Sequence, residues 1–236
     1  MTKVNKCKRC ALHRYRRQEV PGRGDVPADI LFVGEAPGKS EDLRGEPFVG
    51  PSGKLLALAM DAARKMAGLE KLPTYHIANV VRCRPTDSKG GSNREPTAQE
   101  AWACWPFLKK VLAEVKPKQV IFLGKIPEKY CKAAMPGGIY LYHPAYILRN
   151  GGERSSQWRE FVRRLSEIFT EIVECRKSKS EGRRSRRRKL DRVGVKKRVV
   201  RRREGKSPLG DPERNLSVSS SLQRIKRRPT RRRRTE

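Results

Sequence analysis

Two groups of residues in this chain could do chemistry. Cys7 and Cys10 form a Cys-x-x-Cys pair, with Cys83 and Cys104 far downstream, and four such thiols could hold zinc or an iron–sulfur cluster. Zinc sites usually come as two close pairs, and here 20 residues split the second pair, which favours a cluster. Unligated buried thiols are the competing reading. Cys131 and Cys175 lack partner spacing and read as ordinary thiols. The second group is an acid, an amide and an imidazole: Glu35, Asn79 and His143. Such a trio is the raw material of an acid–base site if the fold brings it together.

Glu35 lies in "GEAPGKS", which invites a phosphate-loop reading. That loop needs four residues between its first glycine and the Gly-Lys-Ser/Thr triplet. Gly34 and Gly38 enclose three. Pro37 has no N–H to offer a phosphate, and Glu35 adds a like charge. Nor does "EDLRGEPF" read as the helix that should follow. A nucleotide triphosphate is therefore the wrong ligand, and this strand end wants its carboxylate for something else.

The elements that must position these residues alternate. Strands are expected over 28–35, 74–81, 118–124 and 138–143, and helices over 53–68, 96–117, 127–134 and 155–175. Thr97 with Glu100 three residues on forms a capping box for the long helix, and Gly68 closes the one before it. Alternating strands and helices argue for a mostly parallel four-stranded sheet between helical layers. In such sheets ligand sites form at the carboxyl ends of the strands. Glu35, Asn79 and His143 end three of the four. His143 also precedes Pro144, which holds the chain extended there. His13 and His76, each alone, read as surface or packing residues.

Charge divides the chain in two. Residues 176–236 hold 26 Lys and Arg against 6 Asp and Glu, a net of +20, and residues 1–175 carry a further +11. The tail has no aromatic residue and no apolar periodicity, so it reads as disordered beside a folded domain over 1–175. Both parts suit a polyanionic partner, nucleic acid above all. No apolar run reaches the roughly 18 residues of a membrane span, and "MTKVNKCKRC" lacks a signal peptide's apolar centre. The expectation is a soluble, intracellular monomer with no membrane partner, a compartment in which six cysteines are not structural disulfides.

Several blocks, in order, resemble one family: "CKRCALHRYR", "VPGRGDVPADILFVGEAPGKSEDLRGEPFVGPSGKLL", "IANVVRCRP", "NREPTAQEAWACWPFL", "VIFLG" and "YHPAYILR". Across roughly 4–170 the chain is similar to the iron–sulfur uracil-DNA glycosylases, family 4 of their superfamily. The carboxylate of Glu35 and the absence of histidine from "CRPTDSKGGSNREP" separate it from two sister groups, although that loop is longer than family 4 leads one to expect.

The resemblance implies an α/β/α sandwich, with a structural four-iron, four-sulfur cluster on Cys7, Cys10, Cys83 and Cys104. It implies removal of uracil from DNA, leaving an abasic site. A flipped uracil would lie on Phe48, beside Gly34 and Ala36, with Asn79 reading O4 and N3–H and Asn93 matching a further family position. His143 would donate to O2, and Glu35 or Glu41 would handle the attacking water. In "PAYILR", Tyr146, Ile147 or Leu148 would wedge the duplex and Arg149 would contact phosphate. The arginine-rich tail, which the resemblance does not cover, would bind nucleic acid electrostatically. The alternative class is a non-catalytic nucleic-acid-binding protein whose four cysteines hold zinc or a cluster.

Overall fold

A computed structural model describes residues 7–192. Five strands form one sheet in the order β1-β3-β2-β4-β5: β1 (Arg23–Gly24), β2 (Ile30–Gly34), β3 (Tyr75–Asn79), β4 (Gln119–Leu123) and β5 (Ile139–Leu141). The pairs β3–β2, β2–β4 and β4–β5 are parallel; only β1 runs antiparallel, to β3. The sheet therefore has five strands where four were expected. The extra one is two residues long, in a Pro- and Gly-rich stretch that carries no period-two pattern.

Helices cover both faces, and β2 shows why. All five of its residues are buried. Ile30 and Phe32 point into one core with α2 (Pro51–Met66), α5 (Pro144–Arg149) and α6 (Ser156–Arg192). Leu31 and Val33 point into the other with α3 (Ala98–Val115) and α4 (Lys125–Cys131). A strand buried on both faces reads as a continuous apolar run, as central parallel strands do. The result is a three-layer α/β/α sandwich. The expected capping box starts α3: Thr97 Oγ1 accepts from the Glu100 N–H at 3.2 Å, and Glu100 Oε2 accepts from the Thr97 N–H at 2.8 Å.

Two short helices replace expected loops. The segment after "GEAPG" forms α1 (Lys39–Arg44), and "PAYILR" forms α5, with Pro144 at its first turn and His143 as its N-cap. Proline's fixed φ suits a first helical turn, so it starts α5 rather than prolonging the extended chain. The helix expected to end at Cys175 runs on to Arg192, and the remainder of the basic tail lies outside the described residues.

Arg176, on that extension, ties α6 to the sheet edge opposite the strand ends named above. Its Nε donates to Asp29 Oδ1 at 3.1 Å and its Nη2 to Asp29 Oδ2. Thr74 Oγ1 donates to the same carboxylate at 2.8 Å, and Lys118 Nζ pairs with it at 2.9 Å. Burial alone would push the Asp29 carboxyl up, but its bonds to Lys118 and Thr74 and the Arg176 charge hold it below the usual range. A depressed carboxyl contributes stability that is complete above the ordinary carboxylate range and is lost as pH falls through its folded value. Asp29→Ala should lower unfolding free energy by about 1–3 kcal/mol, its cationic partners being able to reach water. Urea denaturation at pH 7 and again in acid checks this: the gap between wild type and Asp29→Asn should shrink as pH falls.

Candidate functional site

Parallel pairing of β2 and β3 sets Gly34 opposite Asn79, so the two strands end side by side. Glu35 follows Gly34 directly. On the other flank β5 leads through Tyr142 to His143, against which Gly124, just beyond β4, packs closely. These ends enclose a cavity of about 310 Å³ lined by Glu35, Ala36, Gly38, Glu41, Phe48, Asn79, Asn93, His143 and Arg149. The expected acid, amide and imidazole are thus brought together.

The floor of the cavity is a close-packed contact. A Cβ on Gly34 would overlap both the Asn79 amide oxygen and the edge of the Phe48 ring. Phe48 reaches that spot with φ of 54°, a left-handed conformation costing a non-glycine residue on the order of 1–3 kcal/mol. Two features hold it there. Gly53, in the first turn of α2, leaves room for the Phe48 carbonyl, and Arg23 Nη2 donates to that carbonyl at 3.2 Å. The Phe48 ring is 6.0 Å from the His143 ring, centre to centre, tilted by 33°.

The polar groups above this floor have distinct states. Asn79 is 6% exposed, and its Oδ1 is buried with no hydrogen-bond partner. Such an oxygen carries a penalty of roughly 1–3 kcal/mol until a donor arrives. His143 Nδ1 accepts from the Ala145 N–H at 3.1 Å, so the ring proton sits on Nε2. Burial, reinforced by Arg149 and opposed by Glu41, lowers the His143 pKa to about 4, which keeps the imidazole neutral at physiological pH. Burial, with the Glu95 charge adding to it, raises the Glu35 carboxyl to about 7.

Glu41 has a different task. Its Oε1 accepts from the N–H groups of Val49 (3.0 Å) and Gly50 (2.8 Å), and its Oε2 from that of Gly38 (3.2 Å). Both oxygens are engaged in joining the two loops of the cavity wall. Asn93 Oδ1 accepts from Arg84 Nε at 2.6 Å, which turns its NH₂ end toward Gly38. In α5, Ile147 is fully buried in the core, whereas Tyr146 and Leu148 are 40% and 38% exposed. Ile147 therefore cannot enter a duplex, a correction that follows from the helical periodicity of this segment. Ser52, Pro85 and Arg94 also line the cavity, and no spacing in the sequence marks them.

The four cysteines lie apart from the cavity. Cys83 and Cys104 are buried, Cys7 and Cys10 partly so. They share one neighbourhood: Cys104 and Cys10 are near enough to Cys83 to help raise its thiol, and Cys10 and Cys7 do the same at Cys104. Arg16 Nη1 donates to Cys83 Sγ at 3.0 Å, and Arg82, whose buried Nε lacks an acceptor, adjoins Cys104. Burial raises the thiols of Cys10 and Cys104 and pushes that of Cys83 up to about 12. Among the described residues no three Cys, His, Asp or Glu side chains converge on one metal position. Thiolates bound to separate irons of a cluster need not meet at one point, and the Arg16 guanidinium donating to Cys83 Sγ suits a set of anionic sulfurs.

Comparison with known proteins agrees with this architecture. The family description "Uracil DNA glycosylase superfamily" matches residues 21–166. A type-4 uracil-DNA glycosylase of Pyrobaculum aerophilum is 34% identical over 70% of this chain and 89% of its own length. One from Thermotoga maritima is 35% identical over 68% of this chain and 85% of its own. A third, from Saccharolobus solfataricus, is 39% identical over 54% of this chain, and the match spans only 55% of that relative. With the cavity at the expected strand ends and the match running through all of them, the chain belongs to the uracil DNA glycosylase superfamily, among its type-4 members.

Proposed function

We infer that this protein excises uracil from DNA by hydrolysing the N-glycosidic bond. The observation that carries this reading is the buried, unpartnered Oδ1 of Asn79. It waits for a donor, and the N3–H of uracil is one; the amide NH₂ then donates to O4. Cytosine, with a bare N3 and an amino group at C4, presents the reverse pattern and would leave both ends unpaired.

The chemistry follows from the protonation states. The N1–C1′ bond breaks with its electron pair going to uracil, and negative charge spreads to O2. The Nε2–H of neutral His143 donates to that oxygen, stabilising charge that is absent from the ground state. A water oxygen bonds C1′ from the other side, and the Glu35 carboxylate takes the proton it releases. Phe48 supports the base, while Glu41 fixes the loops that carry Glu35 and Phe48. Tyr146 or Leu148 fills the space left by the flipped nucleotide, and Arg149 meets phosphate.

Cys7, Cys10, Cys83 and Cys104 would hold a four-iron cluster, with Arg16 and Arg82 balancing its charge. Bound there, the cluster would join the N-terminal segment to α3 and so support the fold. The basic tail would act as a tether to the DNA backbone, and the alternative non-catalytic reading is weakened by a site in which Glu35, Asn79 and His143 each have a task in the reaction.

The direct test is incubation with a uracil-containing oligonucleotide followed by alkaline cleavage, which should yield a nick at uracil. Asn79→Ala and His143→Ala should each reduce single-turnover excision by about 2–4 kcal/mol. The wild-type rate should rise with pH through a midpoint of about 7, where Glu35 becomes a carboxylate, and reach a plateau, because His143 stays neutral throughout. Glu35→Gln should abolish that rise, and Glu95→Gln should shift it to lower pH. Protein purified in air should be brown with about four irons per chain, and stoichiometric zinc without iron would remove the cluster. Truncation after Arg192 should preserve single-turnover excision while making affinity for undamaged DNA less steeply dependent on salt.

A further inference from the structure

A second concavity, of about 1090 Å³, opens beside the uracil cavity and shares His143 and Arg149 with it. One wall is aromatic. Tyr142 stacks on Tyr146 with ring centres 5.5 Å apart and planes 20° apart, and Tyr140 meets Tyr142 edge-on at 6.1 Å. Lys125 and Lys129 of α4, and Lys132 just beyond it, line the groove as well, with the Lys129 ammonium 5.4 Å from the centre of the Tyr130 ring. Two acids also line it: Glu128, which pairs with Lys132 at 2.8 Å, and Glu95. Counting Arg149, cations outnumber acids by four to two.

The catalytic steps above use only the margin of this groove. Tyr140, Lys125, Lys129 and Lys132 have no task in them. Three phenol rings in series in one groove with ammonium groups match what an unpaired strand presents, namely base π-faces and a row of phosphates. A duplex offers phosphates without exposed base faces, so it would use the lysines and leave Tyr140 and Tyr142 with no base to stack on.

We propose that the groove between α4 and the Tyr140–Tyr142–Tyr146 series is a subsite for unpaired nucleotides on one flank of the flipped uracil. Continuity with the uracil cavity fixes the occupant as the same strand, so this inference rests on the proposed function. Bases stack along Tyr140 and Tyr142 while Lys125 and Lys129 meet the backbone, and single-stranded DNA gains contacts that a paired strand cannot make.

The test uses full-length protein and two labelled single strands, each carrying 2′-fluorinated deoxyuridine, which resists hydrolysis, at its 5′ or its 3′ end. Fluorescence anisotropy should show that one polarity binds more tightly. Tyr140→Ala should weaken that polarity by roughly tenfold and leave the other within about twofold. Lys129→Gln, on the exposed face of α4, should weaken the same strand and reduce its salt slope by about 0.7. Tyr140→Phe should bind as wild type does, and all three variants should excise uracil at the wild-type rate when DNA is saturating. Unchanged affinity of Tyr140→Ala for both strands would overturn the subsite, whatever Lys129→Gln does, and so would equal losses on both. If wild type leaves uracil-containing DNA intact while Tyr140→Ala still weakens one polarity alone, the proposed function fails and the groove stands.

Discussion

Everything in the cavity depends on Gly34 having no side chain. The Asn79 amide and the Phe48 ring both occupy the space that a Cβ would need. Register between β2 and β3 delivers Asn79 to that point, and the left-handed turn at Phe48 delivers the ring. A methyl group there would push apart the Phe48 ring and the Asn79 amide. The rest of the site is arranged around this contact: Gly53 admits the Phe48 carbonyl, Arg23 anchors it, and Glu41 joins the loops on either side.

The two edges of the sheet divide stability from reactivity. Below β2, the buried Asp29 carboxylate is satisfied by Thr74, Lys118 and Arg176. Above it, Asn79 Oδ1 is buried and unsatisfied, Glu35 is held near neutrality, and His143 is kept uncharged. A strained Phe48 and an unpaired carbonyl oppose folding, and two continuous cores on either side of the sheet offset them. In the function proposed above, binding would recover the penalty at Asn79 and turn a defect of the free protein into selectivity for a base that donates from N3.

Much of this was legible in the sequence, and the gaps have physical causes. Buried strands and amphipathic helices announce themselves through long apolar runs and three-and-four spacing, so four strands and the major helices lie where expected. The strand-end rule then gathers Glu35, Asn79 and His143 without any structural information. A two-residue strand and helices of fewer than two turns escape such patterns. β1 is two residues long, and α1 and α5 are too short to show a period. That omission also hid the inward turn of Ile147. Roles set by hydrogen-bond geometry were equally invisible: a sequence shows two nearby glutamates, while only coordinates show that Glu41 is occupied by three backbone N–H groups and Glu35 is not. Arg176 read as the first residue of a solvated tail because its partner, Asp29, lies at the far end of the chain.

The central claim is that Asn79 Oδ1 and His143 Nε2 read and stabilise uracil as a pair. A crystal structure of the protein with free uracil, the expected product, tests it most directly. It should show uracil N3–H donating to Asn79 Oδ1, O2 accepting from His143 Nε2, and the ring lying on Phe48. Uracil bound elsewhere, or bound in this cavity with Asn79 Oδ1 still unpaired, would contradict the account.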